Sequence, residues 1–152
     1  MNYLIELQSE TDITGVDTHA LERVAARALE AERVPAPAEL SIVLADDPVV
    51  QELNRTYRAT DAPTDVLSFG QQDGEAFARP QGAPPHLGDV VISVDTAKQQ
   101  AATYGVALQD ELAHLLVHGV LHLLGYDHET PEDAAAMRLQ EEAVLGAVAR
   151  HG

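Results

Sequence analysis

The pattern of hydrophobic and polar positions divides the chain into four predicted strands and five predicted helices. Short apolar runs, partly alternating with polar residues, predict strands at residues 3–7, 40–44, 65–69 and 87–93. Apolar residues three and four positions apart, together with capping residues, predict helices from Asp17 or Thr18 to before Pro35, Asp47 to about Tyr57, Val94 to Tyr104, Leu108 to Leu124, and Thr130 to about Ala149. The first helix has the clearest inward face, formed by Leu21, Val24, Ala25, Ala28 and Leu29.

The order of these elements, β-α-β-α-β-β-α-α-α, indicates an α+β fold in which helices cover a mixed β-sheet. No repeat and no linker interrupts the 152 residues, so a single domain over residues 1–152 is expected. Residues 70–86, rich in glycine and proline, predict a connecting loop, and a loop of this length is also typical of a binding-site rim. The last helix is expected to bury Ala135, Leu139, Ala143 and Val144.

Charge and composition narrow the classes of function. Asp and Glu number 25 against 9 Lys and Arg, a formal net charge of −16, which argues against a protein that coats nucleic acid and against a DNA partner. The N-terminus lacks a basic leader and no apolar stretch is long enough to span a membrane, so a soluble, cytoplasmic protein is expected. With no cysteine, any metal ion must be held by His, Asp or Glu.

Three histidines in eleven residues carry the strongest chemical signal. His118 and His122 are four residues apart, so on a helix their imidazoles lie on one face and can meet at a single point. Gly125 is well suited to end that helix in a left-handed turn, which would direct His128 back toward the pair. Three imidazoles around one ion, with a fourth position open to water, are typical of a catalytic zinc site.

Neighbouring residues qualify this interpretation. His114 and His118 are also four residues apart and form a rival pair. Only the pair of His118 and His122 is followed at a suitable distance by Gly125, whose turn would bring a third histidine back to it. His114 is therefore expected beside the site or in the core. The spacing also occurs in metzincin proteases, where a glutamate general base follows the first histidine; here that position is Gly119. Glu111 and Asp127 are expected to hydrogen-bond around the site or to be solvated helix residues.

The histidine segment and three earlier blocks together resemble one family. Residues 118–128, the Asn-x-x-Tyr-Arg block within 53–58, the Pro-Thr-Asp-Val-Leu-Ser-Phe block at 63–69 and the Gly-Asp strand at 87–92 are similar to the motifs of the YbeY family, in the same order. Members of that family are bacterial single-strand-specific endoribonucleases of rRNA maturation. The resemblance covers roughly residues 50–130.

The resemblance implies a zincin-like, zinc-dependent hydrolase fold with one ion per chain. His118, His122 and His128 match the family's metal-binding histidines, and Arg58 matches its functionally important arginine. The implied task is maturation of the 16S rRNA 3′ end and ribosome quality control in the cytoplasm, with single-stranded RNA and a ribosome or ribosomal protein as partners. Arg58 would clamp a phosphate.

Two other classes of function stay open on the sequence. One is a metal-dependent hydrolase of peptides or small phosphoesters. The other is a ribosome assembly factor whose zinc is structural, which would require a fully protein-ligated site. Three imidazoles also suit nickel, copper or iron, so the residues do not select the metal by themselves.

Overall fold

The computed structural model describes residues 3–60, 64–70, 85–126 and 130–146, which form strands and helices in the predicted order. The elements are β1 (Tyr3–Ser9), α1 (Thr18–Ala31), β2 (Ala38–Ala45), α2 (Asp47–Arg58), β3 (Val66–Gly70), β4 (His86–Ser93), α3 (Val94–Tyr104), α4 (Leu108–Leu123) and α5 (Pro131–Leu145). Most of the predicted loop, residues 71–84, lies outside the described residues. The last helix, predicted to run to about Ala149, ends at Leu145 with Gly146 as its C-cap, and residues 147–149 lie outside the described residues.

The described strands form one mixed sheet in the order β1-β2-β4-β3. β1 and β4 each run parallel to β2, whereas β3 pairs antiparallel with β4 from Val66 opposite Ile92 to Gly70 opposite Gly88. The predicted α+β class with a mixed sheet is therefore confirmed. β3 lies at one edge of this sheet, and the candidate site lies beside it.

Helix α4 is the central helix of the fold, because it packs against α1, α3 and α5 and against strands β3 and β4. Its apolar residues share one core cluster with the inward face of the sheet, and that cluster includes Leu40, Ile42, Leu44, Leu112, Leu115, Leu116, Val120 and Leu121. Each such side chain contributes roughly 1.5–3 kcal/mol when fully buried. A smaller cluster under α2 covers the opposite face with Ala45, Val50, Leu67 and Val91. The core thus holds α4 firmly on the sheet.

The predicted inward face of α1 is confirmed, because all five of its residues are buried. The Asp47-Pro48 sequence predicts Asp47 as the N-cap of α2, which is wrong by one residue: Asp46 accepts from the Val49 amide at 3.1 Å and is the cap. Asp47 instead lies inside the first turn, where its carboxylate accepts from the hydroxyl groups of Ser93 and Thr96. Among the described residues, no helix has both the length and the apolar character needed to cross a bilayer.

Helix α5 packs on α4 through a face different from the predicted one. Leu139 is 65% exposed, and Ala135 and Ala143 are also exposed, so of the four predicted residues only Val144 is buried. The inward stripe consists of Met137, Glu141 and Val144, which are four and three residues apart. This spacing places Leu139 on the opposite side of the helix, and the alanine-rich sequence gave too little contrast to show it.

Candidate active site

His118 and His122 converge at the C-terminal half of α4. Their Nε2 atoms are 3.1 Å apart, and the two half-buried rings meet edge to face with centroids 4.6 Å apart. The helix brings them together because residues four apart lie one turn above each other on the same face. Both ring nitrogens therefore point to one small region of space.

This separation fits two ligands of a single metal ion. Zinc–nitrogen bonds of about 2.0–2.1 Å at a tetrahedral angle place two coordinating nitrogens about 3.3 Å apart. The two Nε2 atoms need only a small adjustment to reach that distance. Among residues 3–60, 64–70, 85–126 and 130–146, no group of three His, Cys, Asp or Glu side chains is placed to hold a metal ion. The third predicted ligand, His128, lies outside the described residues.

Beyond the pair, α4 ends at a glycine turn, as predicted. Gly125 has a φ of +102°, its amide donates to the carbonyl of His122 at 3.1 Å, and the Tyr126 amide donates to that of Leu121 at 3.0 Å. These two bonds form a Schellman motif, which needs a residue tolerant of positive φ at the position of Gly125. The chain therefore turns immediately after the second histidine.

The Tyr126 side chain connects this turn to Glu32, the residue that follows α1. Its phenol is half-buried and hydrogen-bonds to Glu32, which raises the pKa of Tyr126 above the ordinary value; burial of the phenol acts in the same direction. Both effects favour the neutral phenol over the phenolate. The described end of this turn, at Tyr126, is thereby held by a side-chain contact as well as by the Schellman bonds.

The remaining candidates occupy different positions. His114 is half-buried and stacks on the ring of His118, with centroids 6.4 Å apart and planes 17° apart. Glu111 is fully buried on α4, so a role as a solvated helix residue is wrong for it. Asp127 lies outside the described residues.

Glu141 on α5 contacts the metal-binding candidate His118, although it is not among the residues predicted for the site. Its Oε2 atom lies 2.9 Å from the Nδ1 atom of His118, and only 13% of the Glu141 side chain is exposed. A signal was present in the sequence, because an acidic residue interrupts the inward stripe between Met137 and Val144. Its partner, however, is 23 residues away in the chain.

A cavity of about 660 Å³ opens beside the two histidines, and Arg58 also lines it. The Arg58 guanidinium donates to the backbone carbonyl of Ser68, and its central carbon lies 5.0 Å from the centre of the Phe69 ring. Tyr57 packs against the same ring, with the centroids 5.5 Å apart. The structure thus brings together three of the four predicted site residues in one cavity.

Gly119 lets α4 approach the sheet closely. A Cβ atom at this position would lie 2.6 Å from Cγ1 of Val90, 3.1 Å from Cγ2 of Val66 and 3.2 Å from the hydroxyl of Ser68. Position 119 is therefore buried against the sheet, and a glutamate there would have no room. The protease general base is excluded by packing as well as by residue type.

The Gly119→Ala variant is expected to lose stability, although the same change at an exposed helical position stabilises a helix by up to about 1 kcal/mol. Overpacking against Val90 should lower the free energy of unfolding by about 1–3 kcal/mol, measured by urea denaturation. The control is Val90→Ala, which removes the nearest atom. The double variant should be more stable than the sum of the two single losses predicts. Additive losses would contradict this account of the packing.

The comparisons with known proteins agree on one family. The family model described as Endoribonuclease YbeY matches residues 5–149. The protein of that name from Roseiflexus castenholzii is 54% identical over 134 residues, covering 88% of this chain and 84% of the relative. The one from Chloroflexus aggregans is 47% identical over 150 residues, covering 97% of both chains.

A solved structure shares the fold. The solution structure of TM1509 from Thermotoga maritima has a TM-score of 0.57 and covers 94% of this chain and 90% of its own, at 23% identity. This likeness supports the α+β fold, whereas the zincin-like assignment stays a prediction. Because the family model matches nearly the whole chain and the relatives match at high identity, this chain belongs to the Endoribonuclease YbeY family.

Proposed function

We propose that this protein is a zinc-dependent endoribonuclease that cleaves single-stranded RNA in the cytoplasm. We further propose that it matures the 3′ end of 16S rRNA and takes part in ribosome quality control. The observation that carries the proposal is the convergence of the His118 and His122 ring nitrogens in a cavity shared with Arg58. The names of the relatives supply the class of reaction.

In this proposal His118, His122 and His128 hold one zinc ion. The 3.1 Å separation of the two described nitrogens and the absence of thiol donors are compatible with that donor set. A bound zinc ion supplies Lewis-acid chemistry to a phosphodiester and to an attacking water. Three protein ligands leave one coordination position for substrate or water, which catalysis requires and a structural site lacks.

Arg58 binds the phosphate in this mechanism. Of the described residues that line the cavity, it alone has a fixed positive charge. A guanidinium offers two parallel N–H groups to the non-bridging oxygens of a phosphodiester, and it stays charged at any working pH. In a chain with a net charge of −16, such a local cation is needed to draw a polyanion into the cavity.

An exposed aromatic ring beside Arg58 supports an unpaired strand as the substrate. Tyr57 is 56% exposed and packs edge to face on Phe69. Proteins commonly bind single-stranded RNA by stacking its bases on such rings. The bases of a duplex are paired and are not available for this contact. The acidic surface adds little affinity for RNA, so we propose that a ribosomal protein or the ribosome delivers the substrate.

The proposal is tested with metal-free protein to which zinc is returned. We expect the zinc-loaded protein to cleave a single-stranded RNA oligonucleotide and to lose this activity when a chelator is added. A duplex of the same sequence should be cleaved at least about tenfold more slowly, because paired bases cannot stack on Tyr57. The measurement is gel-resolved cleavage of labelled RNA. Particles that carry unprocessed 16S rRNA serve as a second substrate, and nickel, copper and iron as alternative metals.

Three outcomes would contradict the proposal. Cleavage of a peptide panel without cleavage of RNA would indicate a hydrolase of another substrate. Tightly bound zinc with four protein ligands and no cleavage would indicate a structural metal in an assembly factor. Full RNA cleavage by the metal-free protein would show that the metal is not needed for the reaction.

A further inference from the structure

We infer that Glu141 is a positioning residue for His118: its carboxylate fixes the tautomer and the orientation of that imidazole and so sets the metal affinity of the site. This inference rests on the metal site of the proposed function. It gives the C-terminal helix α5, which provides none of the proposed metal ligands, a part in building the site.

The first step is the geometry of the contact. The Oε2 atom of Glu141 and the Nδ1 atom of His118 are 2.9 Å apart, with 13% and 27% of the two side chains exposed. By contrast, the surface pair of His19 and Glu22 is 3.5 Å apart, and 82% of the histidine side chain is exposed. The Glu141 contact thus has the length of a charge-assisted hydrogen bond in a protected environment.

The second step is the tautomer. An ionised carboxylate only accepts hydrogen bonds, so the proton of a neutral His118 ring must lie on Nδ1, where Glu141 accepts it. The lone pair is then on Nε2, which is the atom that faces Nε2 of His122 at 3.1 Å. A carboxylate that holds the remote nitrogen of an imidazole in this way fixes both the tautomer and the ring orientation of a metal-binding histidine.

The third step is the position of Glu141 in the core packing. It lies on the inward stripe of α5 between Met137 and Val144, both buried. A carboxylate at such a position costs free energy of desolvation, which an apolar side chain would avoid. Met137 and Val144 anchor α5 in the core and so hold the Glu141 carboxylate against His118. The orientation of the imidazole therefore depends on how α5 packs.

The experiment measures zinc affinity by competition with a chromophoric chelator, using the full chain. Glu141→Ala should weaken zinc binding by about 10- to 100-fold, the usual effect of removing a hydrogen-bond partner of a metal ligand. Glu141→Gln should restore part of the affinity, because its amide oxygen still accepts from Nδ1 but has no charge. The matched control is Glu142→Ala, which removes the neighbouring exposed carboxylate and should leave the affinity unchanged.

A second readout separates positioning from a purely structural ion pair. Nitrogen-15 NMR of the metal-free protein should show His118 protonated on Nδ1, and a mixture of tautomers in Glu141→Ala. Unchanged tautomer and unchanged zinc affinity in a destabilised Glu141→Ala variant would overturn the inference. Because the NMR readout needs neither metal nor RNA, it tests the inference even where zinc binding or RNA cleavage by the wild type fails.

Discussion

Replacing His122 with alanine is expected to abolish zinc binding and RNA cleavage together while the fold is retained. The side chain is half-buried at the cavity wall, so its removal leaves the core cluster intact. Loss of a ligand removes the metal ion, and with it several kcal/mol of stabilisation of the charge that develops in the transition state. This corresponds to at least about a 1,000-fold loss in kcat/KM. Metal content, labelled-RNA cleavage and the circular dichroism of the metal-free protein are the three measurements.

Two further histidine variants sharpen this prediction. His19→Ala removes an exposed imidazole on α1 and should leave metal content and cleavage unchanged. His114→Ala distinguishes the two possible pairs on α4, because a site built from His114 and His118 would lose its metal in this variant. We expect His114→Ala to keep the metal. Stoichiometric zinc in a folded His122→Ala variant would contradict the proposed ligand set.

Replacing Arg58 with alanine is expected to lower kcat/KM for RNA by about 100- to 1,000-fold with zinc affinity unchanged. Removal of one preorganised hydrogen-bond donor that stabilises charge in the transition state usually lowers the rate by a factor in this range. Steady-state cleavage of single-stranded RNA measures the first quantity and chelator competition the second. Arg58→Lys should recover only part of the activity, because an ammonium group has the charge without the planar fork.

Arg55 provides a matched control for this prediction. It lies one turn earlier on α2, forms an ion pair with Glu52 and does not line the cavity. Arg55→Ala removes the same charge from the same helix, so it should leave kcat/KM within about twofold, since exposed ion pairs contribute little. Equal losses in the two variants would indicate a general charge effect instead of a specific phosphate contact.

The parts of the fold with strong periodicity were predictable from the sequence. The inward face of α1 and the end of α4 at Gly125 follow from residue spacing alone, because apolar contrast and the tolerance of glycine for positive φ are local properties. Helix α5 lacks that contrast. Its alanines fit any face, so the predicted inward position of Leu139 is wrong, and the inward position of Glu141 does not follow from the pattern.

Part of the candidate site also follows from the sequence, and part depends on tertiary packing. The pairing of His118 with His122 depends on one helical turn and was visible in the sequence. The contact between His118 and Glu141 joins residues 23 positions apart, so it depends on how α5 packs against α4. The entry of Arg58 into the same cavity also depends on tertiary packing, and its phosphate-binding role was expected only from family resemblance.

Ser68 on the edge strand β3 connects the two halves of the site. Its hydroxyl donates to the carbonyl of Gly119 on α4 at 2.8 Å, and its own carbonyl accepts from the Arg58 guanidinium. Ser68 thus links the arginine to the helix that carries the two histidines through one hydrogen bond to each. In the proposed mechanism, an RNA backbone would therefore bind to an arginine and a histidine pair whose supporting elements are both hydrogen-bonded to Ser68.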